Sequence, residues 1–511
     1  MQVTQSKIKT LEELQTLLEL DKIQGKVVVH CHGVFDLVHP GHIRHLNEAK
    51  KLGDILVVTI TPDQLVNKGP GRPVFKEQLR LETLASLEVV DYVALNSEPT
   101  AITAIQFVQP NIYVKGIEYK EHEKDVTGKI TEEIDAVEAI GGKVHYTEDI
   151  TFSSSSLLNE HFDSMPEDRR KFLDSLKAKY SLDELIGMID SFTSLKVLVA
   201  GDAIIDEYQF VRTLGQSGKG LHMTAECLDC ETYAGGSFAV AKHVGQFSES
   251  VELLTAVGKE CPHRAFIDEE LGENIHCHFT QLEGKNTLTK KRFVLKDGER
   301  LSKLFETYSS NNLLMNPDQT EDLKQFFIEE GDRFDLVLIA DFGNGFFGPT
   351  VAPFISEISS CIALNTQINS GNRGFNAITK YSRGDFVSLN EPELRLAMHD
   401  RFTSLDILAQ KLLEDMSLKV LSVTRGVQGA KLYGCNGETI EVPTLSSHVI
   451  DRVGAGDSFL SIASLAVARG LPLELVGFFG ALAGAIDVQI IGNKEPVHKP
   501  ALLKFMTRLF K

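Results

Sequence analysis

The chain has 511 residues, 42% of them hydrophobic and 24% charged, with a formal net charge of −19. At roughly 100–200 residues per domain, that length predicts about two to four domains and is ample for more than one buried core. The acidic balance, with no long basic tract, excludes a general binder of nucleic acid or of anionic membranes.

The opening stretch "MQVTQSKIKTLEELQTLLEL" is amphipathic, carries Glu12 and Glu13, and lacks the apolar core of a signal peptide. No apolar run is long enough for a membrane span. A cytoplasmic protein with no membrane partner is expected. Cysteines at 31, 227, 230, 261, 277, 361 and 435 are odd in number and scattered, which argues against a disulfide framework. Cys227 and Cys230 have CxxC spacing, but no second CxxC follows, so structural thiols are expected rather than a zinc site.

Val27–Val29 reads as a buried strand, and Ile43, Leu46, Ala49 and Leu52 recur after it at helical spacing. "ILVVTI" (Ile55–Ile60), "DYVAL" (Asp91–Leu95), "NIYVKG" (Asn111–Gly116) and "KVHY" (Lys143–Tyr146) continue the strands, with a helix near 129–140. Such alternation predicts a parallel α/β sheet, in a first domain spanning 1–159. Residues 160–195 are charged and helical in pattern. Ser181 and Glu184 have capping-box spacing, and the segment is expected to be a helical linker or an interface element.

A second α/β domain is expected over 196–511. Its strands are "KVLVAGD" (Lys196–Asp202), "FDLVLIADFG" (Phe334–Gly343), "FVSLNEPE" (Phe386–Glu393) and "VLSVTRG" (Val420–Gly426). The stretch from Ser458 to Gln489 reads as two packed helices rich in small residues. No fixed-period repeat indicates a solenoid.

Two constellations carry chemistry. In "GVFDLVHPGH", Gly33 allows a backbone to approach a ligand closely, and Pro40 suits a first helical turn. His39 and His42 then fall near a helix N-terminus, where free amides and the dipole favour an anion. Two imidazoles there can meet one phosphate chain and stabilise charge in phosphoryl or nucleotidyl transfer; helix capping is the structural alternative.

"GVFDLVHPGHIRHLNEAKKLGDILVV", with His39-Pro40-Gly41-His42 as an HxGH signature, is joined downstream by "KGPGRPVF" (Lys68–Phe75), "QLRLETLASLEVVDYV" and "VKGIEY" (Val114–Tyr119). Together, over about 24–158, these resemble the cytidylyltransferase-like nucleotidyltransferases, in particular the nucleotidyltransferase half of bifunctional heptose kinase/nucleotidyltransferases. The resemblance implies attack by a substrate phosphate oxygen on the α-phosphorus of ATP or CTP, with pyrophosphate leaving. It gives charge stabilisation to His39 and His42, and further positive charge to Lys68 and Arg72. Gly33, Phe35, Asp36 and Gly116 fall in its nucleotide-binding stretches, Asp36 doubling as a cap or turn former. Ser154, Ser155 and Ser156, in the serine run that starts at Ser153, match its closing helix start and would hold phosphates or simply cap.

The second constellation is "DRVGAGDSFLSI" (Asp451–Ile462). Gly454, Ala455 and Gly456 leave amides open to an oxyanion, and Asp457 beside them can take a proton from a sugar hydroxyl; a glycine turn with an Asp cap is the alternative. With "VAGDAIIDEY", "YAGGSFAVAKHV", "NEPE" and "VTRGVQGAKLY" in the same order, about 196–505 resembles the ribokinase-type carbohydrate kinases. That resemblance implies a ribokinase-like fold with a small β lid, the lid candidate being 209–233, through which such domains often pair. It makes Asp457 the base and the 454–457 amides an anion hole. Asp202, Asp206, Gly235 and Gly236 become sugar-binding, Asn390 and Glu393 the Mg2+ motif, and Thr424, Gly426 and Gly429 the ATP loop. Lys290, Lys291 and Arg292 could meet a second phosphate on the sugar, or form a basic strand edge. Departures from the family pattern are Ala239, the stretch Asn365-Thr366-Gln367 and Arg452.

A Rossmann-like nucleotidyltransferase domain before a ribokinase-like kinase is the reverse of the order in the heptose enzymes. The expected function is phosphorylation of a sugar or sugar phosphate, then nucleotidyl transfer onto a sugar phosphate. The alternatives are a polyol-phosphate cytidylyltransferase fused to an independent sugar kinase, or one domain acting as an inactive sensor or scaffold.

Overall fold

The computed structural model describes residues 2–66, 73–98, 100–116, 129–147, 165–259, 261–297, 300–309, 315–372, 374–446 and 449–510. The chain divides into two compact units, Met1–Pro166 with Leu503–Lys511, and Glu167–Leu502. Both are mixed α/β.

The first unit holds strands β1 (Ile8–Lys9), β2 (Val28–Gly33), β3 (Ile55–Ile60), β4 (Tyr92–Leu95), β5 (Ile112–Gly116) and β6 (Lys143–Thr147). They form one six-stranded sheet in the order β1-β4-β3-β2-β5-β6, parallel at every pairing. Both faces are covered, as a parallel sheet requires. Val29, Leu56 and Val58 join a core with Leu46, Ala49 and Leu84. Their neighbours Val28 and Val57 join another with Leu11, Leu14, Leu18 and Val108. The alternation follows from successive strand side chains pointing to opposite faces. β2 has β3 on one side and β5 on the other, so the strand order reverses there. Open α/β sheets bind ligands at such a reversal, beyond the carboxyl ends of the strands.

The second unit is built on a twelve-stranded sheet. Its strands are β7 (Lys196–Gln216), β8 (Met223–Gly236), β9 (Ser250–Gly258), β10 (Ile275–Leu282), β11 (Leu288–Asp297), β12 (Arg300–Ser309), β13 (Leu336–Asp341), β14 (Cys361–Thr366), β15 (Phe386–Asn390), β16 (Val420–Thr424), β17 (Ala430–Gly434) and β18 (Thr439–Val442). The main path runs β10-β9-β7-β13-β14-β15-β16-β17-β18. β7 is the organising element. Its first residues pair parallel with β9 and β13. From Ala203 onward it pairs antiparallel with β8 and, from Ile204, parallel with β11. One continuous strand thus leaves the buried sheet and becomes the centre of a small lid of β8, β7, β11 and β12.

The outer part of β8 is exposed and carries the free thiols Cys227 and Cys230. Among the described residues no group of three or more His, Cys, Asp or Glu could hold a metal ion. Among them, too, no helix is long and apolar enough to cross a membrane.

The segment expected as a helical linker or interface element contributes two helices, Glu167–Lys177 and Leu182–Asp190. Ser181 and Glu184 form the capping box their spacing predicts. Both helices belong to the second unit: the Phe172 ring lies 6.3 Å from that of Phe478, and Lys179 and Tyr180 both donate to Glu474, at 2.9 and 3.0 Å.

Candidate active sites

In the first unit, β2 runs into the turn Val34–Val38 and then the helix Pro40–Lys50. His39 is the N-cap of that helix, and its Nδ1 accepts from the Gly41 amide at 3.1 Å. His42 stands in the first turn, its ring centroid 4.1 Å from that of His39 and 5.2 Å from that of Phe35. Phe35 has a left-handed backbone, φ 48°, uncommon for a bulky residue and a mark of a constrained turn. Gly33 permits this, because a Cβ there would stand 3.1 Å from the Phe35 ring. Asp36 is buried and accepts from the amides of Val74 and Phe75 at 2.7 and 3.0 Å. It therefore ties the Val74–Phe75 backbone to the turn after β2. Gly116 closes β5 opposite Thr147. Lys68, Arg72 and Ser154–Ser156 lie outside the described residues.

The same unit holds a polar layer along β2, β3 and β5. His30 and His32 bond Thr59 Oγ1, each at 2.8 Å, and His45 bonds Thr147 at 2.8 Å. Lys115 pairs with Glu133 at 2.7 Å, and the Tyr113 hydroxyl donates to Glu133 at 2.9 Å. Burial drives the imidazoles to the neutral form, His32 down to about 3 and His45 to about 4, with Lys115 adding to the effect. His30 falls well below the ordinary range for the same first reason. Arg80, 1% exposed, holds the neighbouring turns together. It donates to the carbonyls of Phe75, Val34 and Thr61 at 3.0, 2.6 and 2.9 Å, and to Asp63 at 2.7 Å.

In the second unit, Asp457 lies in the first turn of the helix Ala455–Ala468, whose N-cap Gly454 has φ 95°. The amides of this turn are open to an anion, as at any helix N-terminus. Burial, and next the charge of Asp206, lift the Asp457 carboxyl to about 7. Asp206, on the lid portion of β7, is buried and ion-paired with Arg292 of β11, which also meets Glu306 at 3.3 Å. Lys290 is buried on the same face of β11, within the charge field of Asp206 and Asp457, and burial pulls its ammonium below the ordinary lysine range. Lys291, one residue on, points the other way and pairs with Glu207 at 2.8 Å.

Gly235 packs directly under Asp206, where any Cβ would strike the carboxylate, and Gly236 (φ 61°) crosses the Asp202 carbonyl just as closely. Asp202 lies at the point where β7 leaves the buried sheet. Its oxygens accept from the amides of Phe342, Asn344 and Phe346 at 2.8, 3.3 and 3.2 Å, which makes it the anchor of the 342–346 loop. Asp451 anchors the turn before Gly454: it accepts from Tyr208 and Lys303 of the lid at 2.9 and 2.6 Å, and from the Gly492 amide at 3.1 Å.

Asn390 and Glu393 form a reciprocal capping box at the start of the helix Glu391–Ala397. The other Glu393 oxygen accepts from the Ile368 amide at 3.2 Å, and burial raises this carboxyl to about 7. A cavity of about 410 Å³ opens beside them, lined among others by Asn390, Glu391, Arg395, Thr424, Arg425 and Gly426. Gly429 (φ 81°) closes that loop, crossing Val442 where no Cβ fits. Asn390, Thr424 and Gly426 are thus brought to one cavity.

The cytidylyltransferase-like family matches residues 30–173, and the pfkB carbohydrate kinase family matches 376–500. The chain carries one domain of each kind. Bifunctional protein HldE of Syntrophotalea carbinolica is 41% identical over 141 residues, 27% of this chain and 27% of that protein. The same-named protein of Histophilus somni is 28% identical over 305 residues, 59% of this chain and 62% of that protein. The matched stretch therefore spans about 27% of the first relatives' length. Phosphofructokinase-2 from Escherichia coli, solved with substrates and products, superposes at a TM-score of 0.50 with 17% identity, covering 62% of this chain and 100% of that one. This likeness supports a ribokinase-like fold for the pfkB unit.

Several residues of both domains escaped the motif reading. In the cytidylyltransferase-like domain these are His32, His45, Lys115 and Arg80. His30 and His32, two apart in a strand and so on one face, are a legible signal in "VVVHCHG". In the pfkB domain they are Asp451, Asn493 and Lys303, whose partners are far away in sequence.

Proposed function

We propose that the chain is a bifunctional enzyme. The pfkB domain phosphorylates a sugar or sugar phosphate with ATP, and the cytidylyltransferase-like domain transfers a nucleotidyl group from ATP or CTP to a sugar phosphate, releasing pyrophosphate. The reading is carried by one observation: Asp457, raised to about 7, stands in the first turn of a glycine-capped helix with the buried Asp206–Arg292 pair facing it.

Asp457 takes the proton of the acceptor hydroxyl as its oxygen attacks the γ-phosphorus. The 454–457 amides receive the charge that develops on the transferred group. Asp206, with Arg292 and Gly235–Gly236 around it, orients the acceptor, and the cavity at Asn390, Thr424 and Gly426 takes the nucleotide. The oxygens of Asn390 and Glu393 are already engaged by backbone amides, so these residues suit Mg2+ only through water. An ion held there would supply positive charge to neutralise the nucleotide's phosphates.

In the cytidylyltransferase-like domain, His39 and His42 stabilise charge as an acceptor phosphate oxygen attacks the α-phosphorus. Lys68, Arg72 and Ser154–Ser156 are proposed to grip the remaining phosphates. A cytoplasmic setting fits the substrates. Exposed Leu221, Met223, Leu228 and Phe305 on the lid favour a homo-oligomer paired there. A panel of sugars, sugar phosphates and polyol phosphates against ATP and CTP tests the reading. Formation of ADP with one sugar class and pyrophosphate with its phosphate supports it. Turnover confined to polyol phosphates and CTP would replace it.

A further inference from the structure

Asp487 ends the helix Leu473–Asp487 and is fully buried. Neither of its oxygens receives a hydrogen bond. The groups facing it give no compensation. His243 Nε2 stands 3.7 Å from Oδ1, beyond hydrogen-bond length. Because His243 Nδ1 accepts from the Val497 amide at 3.0 Å, this imidazole is the neutral Nε2–H tautomer. Asp451 and Asp457 add only like charge. An ionised carboxylate so placed is strongly disfavoured.

A second orphan acceptor lies beside it. Asn493 Oδ1 is buried without a donor, while its Nδ2 donates to Asp206 Oδ2 at 3.2 Å. Asp487 Oδ2 and Asn493 Oδ1 each stand 2.7 Å from the point a Cβ on Gly454 would occupy. Two unpartnered acceptors thus lie against the anion-hole glycine, where one proton between them would satisfy both.

We propose that Asp487 is a positioning residue of the acceptor site: held as the neutral acid, it donates to Asn493 Oδ1 and so locks the Asn493 amide with Nδ2 on Asp206. The chain of bonds Asp487 to Asn493 to Asp206, with Arg292 on the far side, ties the glycine turn before Asp457 to the carboxylate that orients the acceptor. Gly454 must lack a Cβ for this chain to close. The kinetic consequence rests on the kinase reading above; the protonation does not.

The test uses the full chain with Asp487→Asn, which keeps a donor for Asn493, and Asp487→Ala, which does not. Infrared difference spectra between wild type and Asp487→Asn at about pH 8, where ordinary carboxyls are ionised, should show a carboxylic-acid carbonyl band in the wild type only. In kinase assays Asp487→Ala should raise the acceptor KM about tenfold, the size of one lost buried hydrogen bond. ATP KM and pyrophosphate release should stay unchanged, and Asp487→Asn should restore the acceptor KM to within about twofold. Absence of the band overturns the proposal whatever the enzyme turns over. So does Asp487→Asn being as impaired as Asp487→Ala, the outcome expected of a charged Asp487 holding a cation. A band present with no wild-type phosphotransfer on any acceptor leaves the neutral acid standing and sinks the kinase reading instead.

Discussion

Asp206 lies near enough to Asp457 for its charge, added to burial, to hold the Asp457 carboxyl at about 7. A base must be deprotonated to act, so kcat/KM for phosphotransfer should fall about tenfold per pH unit below about 7. Asp206→Asn removes the like charge and leaves Arg292 with Glu306 alone, so the acid limb should move to lower pH while the acceptor KM rises. A pH profile of both proteins checks this. A limb that stays in place would remove Asp206 from the account.

His39 and His42 separate by their structural duties. His42→Ala should cut pyrophosphate release by about 10²–10³, the usual effect of removing one charge-stabilising donor, with little change in stability. His39→Ala should lose comparable activity and also about 1 kcal/mol of stability, because its Nδ1 caps the helix at the Gly41 amide. Paired turnover and urea-melt measurements on the two variants test the difference.

The buried His30 and the half-buried His32 and His45 of the first unit predict an acid-sensitive region. His32 and His45 are held neutral with values of about 3 and 4, and His30 is also well below the ordinary 6.5. The unfolded chain therefore takes up protons first as pH falls. The stabilising contribution is complete above about 6.5 and is lost progressively as pH drops toward about 3. Hydrogen exchange of peptides covering β2 and β3 should accelerate over that window, beyond the intrinsic change. Flat protection would show that these imidazoles are solvated.

Arg80 offers a stability test away from the chemistry. Arg80→Met strands three carbonyls around a buried position and leaves the part-exposed Asp63 without its partner, and should cost about 2–3 kcal/mol, the penalty of leaving buried acceptors unsatisfied. A shift in the urea midpoint of the first unit reads this directly. A shift under about 1 kcal/mol would mean water replaces the guanidinium.

The legible parts of this fold were the ones with local causes. "ILVVTI" is β3 residue for residue, because a strand buried on both faces is an unbroken apolar run. Ser181 and Glu184 announced their capping box three residues apart. The lid was harder. β11 and β12 are half-exposed and charged, with Lys290 and Arg292 inward and Lys291 outward, so no apolar run marks them. β7 was expected to end at Asp202, yet it continues to Gln216 as a lid strand. Asp202 shows what a motif leaves out. Its hydrogen-bond partners Phe342, Asn344 and Phe346 are some 140 residues away, and no local pattern announces them. Asp451 and Asn493 were missed for the same reason.

The most direct test of two separate active sites follows ADP and pyrophosphate in parallel on the full chain, for wild type, Asp457→Asn and His42→Ala. Asp457→Asn should abolish ADP formation and still release pyrophosphate when given the preformed sugar phosphate. His42→Ala should do the reverse. Loss of both products in either variant, or retention of both in the two, would contradict the account.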